Sequence, residues 1–375
     1  MSPFDHIALY ILLYTCAIVY DKVKKTRNSK TLLGIMFFLY VFTEGLRYGR
    51  GVDYLGNYGP NYLVCMTPEK IDVEFEQTFI WLMQLIHTVD PLIGVLPYGS
   101  VFIVYAVLFI ISLLYLNKVF KDETSFFFLL AFFSTLFLTE WTIRQGVSAS
   151  FIFLGIYCLE RKNWLFAIIW FFIGFQTHHG NVISILIIVL FYFCLNKKPI
   201  PWKVSVPLLV FLETLTNFSS LAETVTLYLQ LLDIAMFGSF SVYVEKNSFV
   251  GEAEMMEEFA RGTLTQIFTI AFYASLIISG YIVQKRKPYA TYLYNAAVIG
   301  IIFYDSLRLA GTFSRLFNVL SVLWFIPFAI VLKQYPVFKK NRLYKVGVAI
   351  SVFYLLLFYG RYVFMTPTAK YVWSY

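Results

Sequence analysis

Long apolar runs separated by short polar stretches organise this chain from end to end. Twelve of them read as membrane crossings: 4–20, 31–46, 98–116, 125–141, 143–159, 164–178, 181–195, 202–216, 263–284, 289–306, 313–333 and 344–363. A helix needs roughly 17–25 apolar residues to cross the hydrocarbon layer, so the shorter runs require tilt or local thinning of the bilayer. The pairs 125–141/143–159 and 164–178/181–195 read as helical hairpins with very short turns. The segment 71–90 mixes acids with aromatics (Ile71-Asp-Val-Glu-Phe-Glu-Gln-Thr-Phe79-Ile-Trp81) and is expected at the membrane interface. Between 217 and 262 an apolar stretch from Leu221 to Met236 precedes an acidic one (Glu245, Glu252, Glu254, Glu257, Glu258), which predicts an outer amphipathic segment. The expected fold is all-α: a polytopic membrane helix bundle of about twelve transmembrane helices, one integral membrane domain over 1–375. An outer loop with an interfacial helix is expected over 47–97.

Composition supports the membrane assignment. Apolar residues make up 59% of the chain and charged residues 14%, against about 45–50% and 25% in soluble domains. The net charge of +8 does not point to nucleic acid, because the basic residues lie in short loops between apolar runs. The loops at 22–30, 118–121, 161–162, 197–203, 285–287 and 333–345 hold 20 of the 30 lysines and arginines and alternate with the others if every run crosses. The positive-inside rule then places them in the cytoplasm and both termini outside. The N-terminus lacks the basic region and cleavage site of a signal peptide. Cys16, Cys65, Cys158 and Cys194 form no CxxC spacing, so neither a zinc site nor a disulfide framework is indicated, and no metal or cofactor is expected.

With that topology, Arg47, Arg50, Asp53, Glu140, Arg144, His178, His179, Asp305, Arg308, Arg315 and Arg361 fall at or just beyond the outer membrane end. Ionisable groups near membrane depth are costly unless they are paired or serve a pocket. Arginine suits a pocket for phosphate, since its planar guanidinium stays charged and meets two oxygens at once. A purely structural alternative exists for three of them: Glu44/Arg47, Glu140/Arg144 and Asp305/Arg308 have the spacing of intrahelical ion pairs. The loop from Glu44 to Tyr62 is unusual in its own right, with five glycines, four tyrosines, two arginines and an aspartate. Its glycines permit close backbone approach to a ligand. Tyr48, Tyr54, Tyr58 and Tyr62 offer flat faces and hydroxyls to sugar rings.

Four segments together carry a family resemblance. Arg47-Tyr-Gly-Arg-Gly-Val-Asp53-Tyr54 resembles the RYG-x-G-x-DY loop of the EpsG family, polysaccharide polymerases of the O-antigen polymerase (Wzy) type. Thr142-Ile-Arg144-Gln145-Gly-Val-Ser-Ala149 is similar to the family's Arg-Gln segment. Phe175-Gln-Thr-His178-His179-Gly180-Asn181 is similar to its histidine motif, with Gly180 or Asn181 standing where the family has serine. Ser314-Arg315-Leu-Phe, with Pro327 downstream, is similar to its late arginine segment. The four occur in the family's order and span roughly 31–335 of the chain.

The resemblance implies a C-type glycosyltransferase-like fold and a metal-independent polymerase. Its substrates would be oligosaccharide repeat units on undecaprenyl diphosphate, at the outer face of the bacterial cytoplasmic membrane. Donor and acceptor are both lipid-linked, and a chain-length-regulating copolymerase is a possible partner. The leaving lipid diphosphate needs cationic stabilisation, which assigns Arg144, Arg308 and Arg315 to pyrophosphate and Arg47 and Arg50 to a phosphate or acidic sugar. The attacking hydroxyl needs a base poised near neutral pH, for which His178 and His179 both qualify. Asp53 would orient that histidine or hold a sugar hydroxyl. Tyr48, Tyr54, Gln145, Asn181 and Asp305 complete the expected substrate contacts. The arginines are expected to share one cleft. Competing classes are an O-antigen ligase, a flippase with a midplane site, and an O-acyltransferase, against whose cytoplasm-facing tunnel the charge distribution argues.

Overall fold

The apolar runs become helix where the chain is described. The computed structural model describes residues 3–45, 47–48, 59–71, 75–89, 99–136, 143–215, 263–307, 316–365 and 370–371. In chain order the helices are α1 (Pro3–Val23), α2 (Asn28–Gly45), α3 (Gly59–Val64), α4 (Gln77–Thr88), α5 (Gly99–Phe120), α6 (Phe126–Leu136), α7 (Ile143–Glu160) and α8 (Trp164–Thr177). They continue as α9 (Val182–Cys194), α10 (Trp202–Leu215), α11 (Thr263–Arg286), α12 (Thr291–Ser306), α13 (Asn318–Val322), α14 (Phe325–Lys333), α15 (Tyr335–Phe338) and α16 (Arg342–Met365). The one strand pairing among the described residues is a two-residue antiparallel bridge, β1 (Arg47–Tyr48) with β2 (Lys370–Tyr371).

Each of the twelve expected crossings coincides with helix in its described part. The eleventh, 313–333, differs in form, because it divides into α13 and α14 around a turn at Leu323–Trp324. Pro327 supplies the reason: it has no N–H to offer the Leu323 carbonyl four residues back, and its ring crowds that carbonyl. By length and apolarity alone, two of the described helices, Phe102–Phe120 and Leu264–Arg286, can cross a bilayer unaided. Trp164–Thr177, His179–Cys194 and Asn318–Lys333 are apolar but shorter. Outward-facing stripes such as Leu165, Ile168 and Phe172 on α8, or Leu186, Leu190 and Phe193 on α9, are exposed. Contiguous exposed apolar surface of this kind marks a face that water does not normally cover.

The chain forms two compact units, Met1–Asn181 with Leu355–Tyr375, and Val182–Tyr354. In the first, α1 packs on α2 and α6, α2 on α5, α5 on α7, and α7 on α8, while α4 lies against α5 and α8. Asp21, near the end of α1, caps α6: its carboxylate accepts from the backbone N–H groups of Phe126 (2.9 Å) and Phe127 (3.0 Å) and from the Ser125 hydroxyl. Lys24 Nζ donates to the Lys121 carbonyl at 2.6 Å, so the basic loops 22–30 and 118–121 lie at one end of this unit.

In the second unit α10 packs on α11 and α12, and α12 packs on α9, α13 and α14. Asn295, fully buried on α12, donates to the Leu195 and Lys198 carbonyls (3.1 and 3.0 Å) and accepts from the Ile200 N–H (2.8 Å). Lys287 donates to Gln334 at 3.0 Å. The basic loops 197–203, 285–287 and 333–345 are therefore tied down by buried amides rather than left loose.

Candidate functional site

The first unit gathers four of the expected site residues around one carboxylate that the sequence did not single out. Arg144 and Gln145 occupy the first turn of α7. A cation there sits at the unfavourable pole of the helix dipole, so its placement needs another cause. Glu76 provides it: Arg144 Nη1 donates to Glu76 Oε2 at 2.8 Å, and the guanidinium lies over the Phe75 ring, 5.5 Å from its centroid. Glu76 immediately precedes α4, yet its side chain makes no cap to that helix.

The same carboxylate reaches the histidine motif. α8 ends at Thr177, whose hydroxyl turns back to the Ile173 carbonyl. The backbone becomes extended at His178, and His179–Asn181 forms one tight turn before α9. His178 Nδ1 lies 3.0 Å from Glu76 Oε1, and the His179 backbone N–H donates to that oxygen at 3.2 Å. On the other side of the ring, His178 Nε2 is 3.1 Å from the Gln145 amide nitrogen. A Cβ on residue 180 would come within 3.1 Å of Nε2, so Gly180 leaves that nitrogen its room. Beneath the turn, Asn181 is fully buried and donates to Ser148 Oγ at 2.7 Å, which donates in turn to the Gly174 carbonyl at 2.6 Å. This chain of bonds fixes the His178 turn to both α7 and α8.

The electrostatics follow from the geometry. Burial opposes ionisation of Glu76, but the His178 hydrogen bond, the nearby Arg144 and His178 charges and its own backbone N–H outweigh that cost. Its carboxyl is held down to about 2. An ionised carboxylate only accepts hydrogen bonds, so the proton between it and His178 sits on Nδ1. In the neutral ring the lone pair is then on Nε2, where the Gln145 amide donates to it. A carboxylate, an imidazole with its basic nitrogen turned away from that carboxylate, and a guanidinium together can take a proton and hold an anion.

The two candidate histidines separate clearly. His178 is buried in this network, whereas His179 is exposed and packs its ring on Phe175, centroids 4.9 Å apart. Arg47 and Tyr48 form β1, and Asp305 is buried at the end of α12 in the second unit. Arg50, Asp53, Tyr54, Arg308 and Arg315 lie outside the described residues, as do the segment 217–262 and much of 47–97. Tyr62, one of the tyrosines expected to meet sugar, is fully buried edge-on against His87 at 5.4 Å and offers no open face. No group of three or more metal-ligating side chains occurs among the described residues.

Glu76 is the member of this cluster that sequence reasoning did not name. It lies 68 positions before Arg144 and 102 before His178, and the signal in its favour was only an acid abutting the apolar start of α4. A family model described as the EpsG family matches residues 30–375. No curated protein and no solved structure matches the chain.

Proposed function

This chain belongs to the EpsG family, and from that premise we propose that it is a membrane polymerase of lipid-linked oligosaccharide repeat units. Family and apolar helices together mark a membrane protein of polysaccharide synthesis with a polymerase-like role. The proposal extends this to undecaprenyl-diphosphate-linked donor and acceptor units of the O-antigen polymerase type. It includes about twelve crossings in a C-type glycosyltransferase-like bundle, with the site at the outer face of the bacterial cytoplasmic membrane. A copolymerase that sets chain length is a proposed partner.

The observation that carries the reading is the meeting of Arg144 and Gln145, from α7, with His178, from the turn after α8, in one buried polar cluster. In the proposed step the acceptor hydroxyl oxygen forms a bond to the donor's anomeric carbon as the bond from that carbon to the bridging diphosphate oxygen breaks. The lipid diphosphate leaves with the electron pair, and the hydroxyl proton passes to His178 Nε2. Arg144 stabilises the charge that develops on the diphosphate, the kind of electrostatic term that dominates many enzymatic rate enhancements. Arg308 and Arg315 are proposed for the same role. Arg47, Arg50, Asp53 and the tyrosines 48 and 54 are proposed as sugar and phosphate contacts. His179 is assigned no proton transfer, because its ring stands apart from the Glu76 network.

The test is the lipid-linked product profile of a strain lacking this protein. Single repeat units accumulating on the outer face support a polymerase. Accumulated polymer indicates a ligase instead, and units retained on the inner face indicate a flippase.

A further inference from the structure

We propose that Glu76 is the positioning residue of this site: it fixes His178 with Nε2 as the acting nitrogen and keeps Arg144 in an ion pair beside it. The inference rests on the polymerase reading above and names a residue outside the four motifs that carry the family resemblance. Glu76 does not touch the reacting atoms in that step. It acts through its two partners, one on each carboxylate oxygen, with Arg144 at 2.8 Å on Oε2 and His178 Nδ1 at 3.0 Å on Oε1.

Three observations carry it. First, the ionised carboxylate is an obligate acceptor, so it admits only the Nδ1–H form of neutral His178 and leaves the lone pair on Nε2. A histidine that serves as base is commonly oriented by such a third group, whose bond to one nitrogen decides which nitrogen reacts. Second, Oε1 also accepts the His179 backbone N–H at 3.2 Å. The carboxylate thereby holds the turn as well as the ring, and the ring cannot rotate away without breaking its bonds to Glu76 Oε1 and to the Gln145 amide. Third, Glu76 forgoes the capping of α4 that its position would allow. The carboxylate is committed across the unit rather than to its own helix.

Gln145 completes the arrangement as a placeholder. Its amide donates to Nε2 at 3.1 Å, the position an acceptor hydroxyl would take as a proton donor to the same lone pair. Arrival of the acceptor therefore exchanges one hydrogen bond to Nε2 for another, with no change in the tautomer set by Glu76.

The experiment compares purified full-length wild type, Glu76→Gln and Glu76→Asp in lipid nanodiscs. The probe is lipid-linked repeat unit extracted from a strain lacking the protein. Glu76→Gln keeps the size of the side chain but removes its charge and its insistence on Nδ1–H. The expected result is a fall in kcat of about 100-fold, with KM for the lipid-linked unit unchanged or lower because Arg144 loses a competing carboxylate. Glu76→Asp should recover part of kcat. A residue with only a scaffolding role would raise KM while leaving kcat per folded molecule near wild type, and that result overturns the assignment. Wild-type protein that makes no polymer would instead remove the polymerase reading on which the inference rests. A second measurement needs no variant of Glu76. The ring ¹⁵N shifts of His178 in labelled wild type, assigned against His178→Asn among the four histidines, should report the Nδ1–H tautomer near neutral pH. An Nε2–H tautomer overturns the proposal.

Discussion

Acid should loosen the first unit through Glu76 in a way that a single substitution abolishes. The carboxylate lies just ahead of α4, outside the proposed membrane-spanning helices, and its side chain is only 12% exposed. Its folded-state pKa of about 2 lies below the ordinary 4.5. The ionised form is therefore favoured by folding, and the stabilisation is complete above the unfolded value and disappears as pH falls towards the folded one. A shift of this size is worth about 3 kcal/mol at neutral pH, of which about 2 kcal/mol is gone by about pH 3. Thermal unfolding of the detergent-solubilised protein, followed by the fluorescence of its seven tryptophans, provides the assay. Glu76→Gln should melt below wild type at pH 7, since glutamine cannot pair ionically with Arg144. The gap should narrow steadily between about pH 5 and pH 3, because only the wild type has a carboxylate at position 76 to protonate in that window, the other acids being common to both proteins. A gap that stays constant or widens on acidification would refute the assignment of Glu76 as an ionised partner of Arg144 and His178.

Other substitutions probe the fold and the site separately. Gly180→Ala brings a Cβ within 3.1 Å of His178 Nε2; the displaced ring should lower kcat by about 10-fold or more in the polymerisation assay while expression holds. Gly300→Ala would place a Cβ 2.2 Å from backbone atoms of Leu320 and Ser321. Forcing α12 off α13 should cost about 1–3 kcal/mol, visible as a lower melting temperature and a smaller monodisperse yield. Asp21→Ala removes the cap that α1 extends to α6 and should cost about 1–2 kcal/mol in the same melting assay, leaving KM for the lipid-linked unit unchanged.

Much of the helical framework was legible because burial and lipid exposure act on local sequence. Apolar runs such as 98–116 and 263–284 announce α5 and α11 through composition alone, and ends are marked by polar groups such as Gln176-Thr177-His178. The break between α13 and α14 was less visible, since Pro327 acts on a carbonyl four residues before it, inside an otherwise uniform apolar run. Of the proposed site, Arg144, Gln145 and His178 could be named as candidates from residue type, position and motif. Glu76 could not, because nothing local distinguishes it from Asp72 or Glu74 in the same acid-and-aromatic segment. Its role arises from the packing of α4 against α8. The different placement of His178 and His179 was likewise beyond sequence, since adjacent positions at a helix end differ only in where the turn sends each ring.

The central claim is most directly tested by in vitro polymerisation with purified protein and defined undecaprenyl-diphosphate-linked repeat units. Wild type and His179→Ala should convert single units into a ladder of longer products, while His178→Ala and Arg144→Ala leave them unextended. Single units left untouched by wild type, or a full ladder from His178→Ala, would contradict it.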